Sequence, residues 1–366
     1  MCQVFSNFAP MKLHIFNPDH DLALAANKKI FTAPHAGRLL RSDLAFLPAL
    51  WADEGDLVLV DDIDHAYDLA HRVGGTLASK SVEFVTPLQL DKIFHDTMCV
   101  DSIHPWGWNL SLKYDLLRMG CSEIMLPTDE TLQNMRSISS RRWAAEHLQQ
   151  GVKYITEINQ LKTLLAEMKR AVVKAPWSCS GRGVRYVNCE HAADESFLQW
   201  ASRIIAKQGG VTVEPYYNKV KDFGMEFEVV DGRVRYCGLS LFQTSKSAYT
   251  GNVLASEEEK EEMLHPFVVR DQLAAIRQHV IDVMQPTLHG LYSGPFGVDM
   301  MVCARKPGEK DTFVNPCIEL NLRRTMGHVA LALGAPDDEP KRMMQVSYIG
   351  NRYHLIIRRL EQNVKD

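Results

Sequence analysis

The sequence lacks an excess of charge of either sign, a long apolar run, and a recognisable cysteine pattern. Lys plus Arg number 41 and Asp plus Glu 45, giving a net charge of −4. So balanced a chain has no global electrostatic footprint for nucleic acid or an anionic membrane, and any anionic ligand needs a local site. No apolar stretch approaches the length of a spanning helix, which excludes helical insertion. The first ten residues carry neither a basic start nor an apolar core of the secretory type. They read either as a frayed tail or as residues ahead of a true start at Met11. The 8 cysteines form no C-x-x-C, and several sit in apolar runs such as Met301-Val302-Cys303. That suits reduced, buried thiols in a cytoplasmic protein better than a disulfide framework or a zinc site. No G-x-G-x-x-G follows the first strand, no P-loop is present, and no Ser/His/Asp signature or internal repeat is found.

What is there is an ordinary globular composition, 46% apolar and 23% charged over 366 residues, too long for one core. Residues 12–16, 56–60 and 82–85 read as strands alternating with helices near 39–51, 87–94 and 110–119, the order of a parallel sheet covered by helices. From about residue 126 the style changes. Helices near 129–135, 140–150, 156–168 and 192–207 are interleaved with strands at 170–174, 183–187 and 210–214. Residues 223–230 and 233–242 read as a hairpin turning at Asp231-Gly232. Ser256-Glu257-Glu258-Glu259 has capping-box spacing. Strands at 297–303 and 312–318 precede a helical C-terminus, and residues 245–252 read as a polar loop. The fold class is an α/β front domain with a parallel sheet, followed by an α+β region with antiparallel hairpins.

Three segments carry candidate chemistry. Lys174 ends an apolar strand, and a loop of small residues, Ser178 to Gly183 with Ser180 and Gly181, follows at once. Small residues let backbone N–H groups close on phosphate oxygens, and a strand-end lysine adds a point charge. A plain hairpin turn with a surface lysine is the alternative. In Ile318-Glu319-Leu320-Asn321-Leu322-Arg323-Arg324, residues two apart face one way in extended backbone, so Glu319 and Asn321 present hard oxygens together, as Mg²⁺ requires. Arg323 and Arg324 stand next to them, suited to a transferring phosphoryl group. Asp299 is the lone acid of an apolar strand, costly unless paired or metal-bound. An exposed Asp299 and a Glu319–Arg323 ion pair would account for the same residues. Glu214, Tyr217 and Asp222 mark a connector after another strand.

The order of these segments resembles the ATP-grasp superfamily, over roughly residues 126–330. The resemblance implies an ATP-grasp fold of two subdomains. Residues 1–125 would form a preceding α/β domain, with 1–10 as a tail, and 126–366 the ATP-grasp domain. Within it, about 139–215 would be the lid bearing the Gly-rich loop, and 216–366 the metal-binding part with C-terminal helices. Lys174, Ser178, Ser180, Gly181 and Gly183, with Arg141 or Arg142 at the start of a helix, would hold the phosphates of ATP. Glu214, Tyr217 and Asp222 would hold adenosine. Asp299, Glu319 and Asn321 would hold two Mg²⁺, with Mn²⁺ as the substitute ion, and Arg323 and Arg324 would act in catalysis. The implied reaction is an ATP-dependent ligation of a small-molecule or peptide carboxylate to an amine or similar nucleophile through an acyl phosphate. A kinase outcome or a non-catalytic nucleotide-binding module is the alternative, and a homo-oligomer stays open. Asn17, His20 and Arg38 near the first strand's end, Trp106 after a later strand, and Lys246 in the polar loop are candidates for the acceptor site, because ligands bind beyond the carboxyl ends of parallel strands. Helix-capping and packing roles compete for the same residues.

Overall fold

The structure is a computed structural model that describes residues 11–73, 81–95, 100–178, 183–188, 194–245, 248–307, 311–334 and 341–360. The described strands form four sheets of four strands each. The first contains β1 (Lys12–Ile15), β2 (Leu57–Leu59), β3 (Glu83–Val85) and β4 (Ser102–Pro105), all parallel, in the order β3-β2-β1-β4. Strands buried on both faces read as short apolar runs, and alternation divides them between two cores. Leu13, Ile15, Leu57, Leu59 and Val85 pack with Leu90, Leu112 and Leu116. Val58, Val60 and Phe84 pack on the other side with Leu44, Leu47, Leu50, Ala66 and Leu69. The helices that cover them are α1 (His20–Ala26), α2 (His35–Asp43), α3 (Ile63–Val73), α4 (Pro87–His95) and α5 (Leu110–Arg118). The helix expected over 39–51 is instead α2 followed by a separate 3₁₀ turn at Leu47–Leu50. The run Leu44–Leu50 is apolar on every side and contains Pro48 at the start of that turn, so it is buried as a short tight segment.

The next helices are α6 (Asp129–Ile138), capped by Thr128, and α7 (Arg141–His147), capped by Ser140. A small antiparallel sheet follows, ordered β5-β8-β6-β7 from β5 (Lys153–Ile155), β6 (Arg170–Lys174), β7 (Val184–Asn188) and β8 (Val211–Pro215). Helices α8 (Ile158–Ala166) and α9 (Glu195–Gln208) share a core with it through Leu161, Leu165, Phe197 and Ala201.

The third sheet is built from long antiparallel strands, β9 (Asn218–Val230), β10 (Arg233–Ser240), β13 (Gly294–Ala304) and β14 (Thr312–Asn321), ordered β10-β9-β13-β14. Asp231 and Gly232 both have positive φ, 51° and 71°, the two-residue hairpin turn that their chemistry demands. One face of this sheet, with Phe223, Met225, Phe227, Phe296, Val298 and Met300, is the largest core. It packs under α6, α7, α10 (Glu257–Leu264, with its capping box formed) and α11 (Arg270–Leu288). The other face is polar and forms the site described below.

The fourth sheet departs from the sequence reading twice. It contains β11 (Phe242–Ser245), β12 (Ala248–Leu254), β15 (Arg342–Ile349) and β16 (Arg352–Arg359). Most of the expected polar loop is strand, because Asn252 and its neighbours find ladder partners far away at Met344 and Met343. Of the expected helical C-terminus the described residues keep α12 (Met326–Leu333), between β14 and β15, and the chain then runs into the β15–β16 hairpin. Gly350 and Asn351, with φ of 58° and 64°, make its turn. Tyr353, Leu355 and Ile357 pack on the core of the parallel sheet, together with Val329 and Ala330 of α12. Buried Asp43 of α2 accepts from Tyr353 N at 2.7 Å and from Arg352 Nη1 at 3.2 Å, tying the hairpin to the front unit.

Candidate active site

Pairing register builds the polar face. Asp299 on β13 lies opposite Gly224 on β9 and Glu319 on β14, and Gly297 lies opposite Glu226 and Asn321. Cross-strand partners share a face, so Glu226, Asp299, Glu319 and Asn321 converge there, while the two glycines keep its centre clear. Burial, then Glu319 and Glu226, push the Asp299 carboxyl up to about 8. Asn321 Nδ2 donates to Asp299 Oδ2 at 3.2 Å, and Arg323 Nη2 donates to Asn321 Oδ1 at 2.9 Å. Arg323 also grips Asp21 of α1 with Nε and Nη2, at 3.0 and 2.8 Å. Burial alone would raise the Asp21 carboxyl, but the Arg323 charge and hydrogen bonds outweigh it and hold it below the usual range.

The donor set suits a hard divalent cation: two carboxylates and an amide oxygen, with acid crowding that a cation relieves. Among the described residues no three His, Cys, Asp or Glu side chains stand at metal-binding spacing. A cation here would therefore rest on Asp299, Glu319 and Asn321 together with oxygens from its ligand.

The small sheet β5-β8-β6-β7 supplies the facing groups. Lys174 pairs with Thr212 and Val172 with Glu214 in register, so Lys174 and Glu214 are diagonal neighbours on one face, and they form a buried ion pair. Arg141, at the first turn of α7, bridges the two sheets. Its Nη1 donates to Ala175 O and Ser178 Oγ, both at 2.8 Å, and its Nη2 donates to Glu319 Oε1 at 2.5 Å. Its Nε is buried without a partner. Gly183 closes the hairpin through its carbonyl to Ala175 N, at 2.8 Å, and a Cβ there would stand 2.4 Å from Ser178 Cβ. Ser180 and Gly181 lie outside the described residues.

The structure separates the two arginines that the sequence left open. Arg142 turns away from the cleft, half exposed, and pairs with Glu146 at 2.8 Å one helical turn on. In the connector, Asp222 accepts from Lys219 Nζ at 2.6 Å and Thr244 Oγ1 at 2.7 Å. Tyr217 sits edge-on to Phe313, its hydroxyl pushed up by burial and by Glu214.

The expected acceptor residues of the front unit are placed differently from the sequence reading. Asn17 Nδ2 donates to Gly107 O at 2.8 Å, and Gly107 N donates back to Asn17 Oδ1 at 3.3 Å. His20 packs against Gly107 so closely that a Cβ there would stand 2.7 Å from its ring, and Asn109 Nδ2 lies 3.3 Å from its Nδ1. Burial brings the His20 imidazole down to about 4, so it is neutral near pH 7. Trp106 is buried edge-on to Phe16, with centroids 4.9 Å apart. All three are enclosed in the joint between the ends of β1 and β4, where they fix α1, and so Asp21, against Arg323. Arg38 donates to Ala33 O at 2.7 Å beside α2. Lys246 lies outside the described residues.

Two site residues were missed in the sequence. Asp21 follows directly on the Asn17–His20 segment. Glu226 is visible as half of a period-2 acid pair, Glu226 and Glu228, inside an apolar strand. It is buried, accepts from Thr325 Oγ1 at 2.8 Å and meets His328 Nδ1 at 3.0 Å. Added Cβ atoms at Gly327 and Gly297 would stand 1.9 and 2.4 Å from its carboxylate oxygens, so both glycines are required by that close approach.

No protein-family profile matches the sequence, and no curated protein does. Solved structures do match in shape. A putative ATP-grasp superfamily protein from Archaeoglobus fulgidus aligns with a TM-score of 0.51 at 12% identity, over 96% of this chain and 100% of its own. The biotin carboxylase domain of the 2-oxoglutarate carboxylase from Hydrogenobacter thermophilus, solved with MgADP, ADP and bicarbonate, aligns at 0.50 and 13% over 92% of this chain and 74% of its own. The biotin carboxylase of Campylobacter jejuni, solved with a β,γ-ATP compound, aligns at 0.50 and 12% over 92% and 75%. At these identities the likeness is one of fold.

Proposed function

We propose, from the premise that the chain has the ATP-grasp fold, that this protein is an ATP- and Mg²⁺-dependent ligase joining a carboxylate to an amine. The observation that carries the reading is Arg141, which links the Lys174 hairpin to Glu319 and so sets a phosphate-binding wall against a cation-binding wall. Nucleotide would lie between the two sheets. Lys174 and Arg141 would take phosphate oxygens, exchanging Glu214 and Glu319 for them as charge-assisted partners. Glu214, Tyr217 and Asp222 lie along the connector that would receive adenosine. Mg²⁺ held by Asp299, Glu319 and Asn321 would neutralise charge on the triphosphate.

In this reading the substrate carboxylate oxygen attacks the γ-phosphorus, the bond to the bridging oxygen of ADP breaks, and an acyl phosphate forms. An amine then attacks the acyl carbon, phosphate leaves and the amine gives up a proton. No protein nucleophile is needed; positioning and charge neutralisation suffice. Arg323, oriented by Asp21 and Asn321, would stabilise charge on the transferring phosphoryl group. Arg324 would serve the substrate side. The test is a screen of carboxylate and amine pairs for ADP and phosphate release, with mass spectrometry of the product. A new amide supports the reading; a stable phosphoester from any acceptor, with no amide, refutes it.

A further inference from the structure

Arg136 lies in the last turn of α6, four residues before the Ser140 cap and Arg141. It is half-buried. Its Nε donates to Leu24 O at 2.6 Å, and its guanidinium carbon lies 3.6 Å from the centre of the Trp177 ring. Trp177 Nε1 donates back to Arg136 O at 3.0 Å, and Trp177 N donates to Gln208 Oε1 at 2.9 Å. The indole is thus held by its face, its ring N–H and its backbone. A half-buried guanidinium normally takes a carboxylate. Among the described residues no carboxylate pairs with Arg136, whose cation is committed to one carbonyl and one aromatic face.

That carbonyl belongs to the last turn of α1, where carbonyls lack helical partners and a charged donor is well placed. A second tie joins the same two helices. Asn27 Nδ2 donates to Gln133 Oε1 at 3.3 Å, and Gln133 Nε2 donates to Asn27 Oδ1 at 3.0 Å. On the other side, Trp177 sits within the segment that serves Arg141. Arg141 N donates to Pro176 O at 3.0 Å, and its Nη1 donates to Ala175 O and Ser178 Oγ. Helix α1 therefore reaches both walls of the site. It meets the phosphate wall through Arg136 and Trp177, and the cation wall through Asp21 and Arg323. The front unit holds the third sheet at a further point, where Arg324 N donates to Trp106 O at 2.8 Å and the Arg324 guanidinium lies 4.2 Å from the Trp51 ring centre.

We infer that Arg136 is a positioning residue of the nucleotide site: it ties the end of α1 to Trp177 and so holds residues 175–178 where Arg141 finds its oxygens. The inference rests on the ligase reading in taking Arg141 and the Lys174 hairpin as the phosphate wall. The link is specific to arginine. A planar guanidinium can stack on an indole and donate in its own plane to a carbonyl at the same time, which a lysine ammonium cannot do. A front unit held in place by Arg323 thereby sets the position of the opposite wall, across a helix that touches no nucleotide.

The test reads Trp177 emission, obtained as the difference between each protein and its Trp177→Phe counterpart, and calorimetric affinity for a non-hydrolysable ATP analogue with Mg²⁺. Asn27→Gly keeps the positive φ of that position, removes the tie to Gln133 and alters no group in contact with Trp177. In the nucleotide-free protein it should still shift the Trp177 emission. Arg136→Met should shift the emission too, and Asn27→Gly should add nothing in that background, because the link is already cut. Arg136→Met should also weaken binding of the nucleotide analogue about ten-fold, the loss of well-placed partners for Arg141. The inference is overturned if Asn27→Gly leaves the emission unmoved, if its effect persists in full beside Arg136→Met, or if Arg136→Met binds the analogue as tightly as the native protein. Should Arg136→Met not fold, Asn27→Gly decides through the emission and a weaker affinity. Native binding that Arg136→Met leaves untouched refutes this inference alone. Absence of binding by the native protein refutes the ligase reading, and the emission measurements still decide whether Arg136 links α1 to Trp177.

Discussion

Replacing Asp299 by Asn should make the metal-free protein more stable while abolishing activity. In the fold Asp299 holds its proton up to about pH 8, against an ordinary value of 3.8. The causes are burial first, then the Glu319 and Glu226 carboxylates. The stability linked to this group is therefore fully present below pH 3.8 and is lost as pH rises towards 8, because only the unfolded chain gives up its proton in that window. Each pH unit is worth about 1.4 kcal/mol, which sets an upper bound of ~5–6 kcal/mol across the window. Partial solvent access to the site reduces the working figure to roughly 3 kcal/mol at pH 8. Asparagine keeps the shape, can still accept from Asn321, and carries no charge to bury. Urea unfolding in EDTA at pH 5, 6.5 and 8 should show Asp299→Asn ahead by ~1 kcal/mol at pH 5 and by ~3 kcal/mol at pH 8. A difference that does not change with pH, or a variant less stable than the native protein at pH 8, would show that Asp299 is not held as a neutral acid in the fold.

Glu319→Gln should preserve the circular dichroism spectrum and melting behaviour but lower the turnover rate by about 10²–10³, because it removes one unit of charge from the cation face; near-normal turnover in Mg²⁺ would reduce Glu319 to an ion-pair partner of Arg141. Lys174→Met leaves Glu214 buried without its cation, so urea unfolding should show a loss of ~3 kcal/mol or more, together with weaker nucleotide binding by calorimetry. Gly327→Ala drives a methyl group into the Glu226 carboxylate, and denaturation should show a loss of ~2 kcal/mol or more; an unaltered midpoint would mean that Glu226 moves freely.

The parts of this fold that were legible in the sequence are those with local causes. The parallel front strands show as apolar runs, β6 as Arg170–Lys174 and the Asp231-Gly232 turn by its residue chemistry. The pairing of Glu319 with Asn321 followed from strand periodicity alone. What was not legible depends on distant partners. Residues 248–252 are polar enough to pass for a loop and become strand only because β15 supplies the ladder. The C-terminal hairpin has a Gly350-Asn351 turn signal, but it is stabilised by the front unit's core and by Asp43. At the site, the choice between Arg141 and Arg142 is a matter of helix rotation, which adjacent residues of the same type cannot reveal. Asn17, His20 and Trp106 stood at the right strand ends, yet the loop joint of the front unit consumes them. Glu226 stands out in the sequence as one of a period-2 acid pair, but its place in the site follows only from the register that sets it opposite Gly297.

If the proposed function holds, a Mg–nucleotide complex binds between the Lys174 hairpin and the strands bearing Asp299 and Glu319. Isothermal titration of the protein with a non-hydrolysable ATP analogue, with and without Mg²⁺, tests it directly. The expected result is a saturable heat that requires Mg²⁺ and is strongly diminished in Glu319→Gln. No heat at millimolar nucleotide in the presence of Mg²⁺, or binding indifferent to both Mg²⁺ and Glu319, would contradict it.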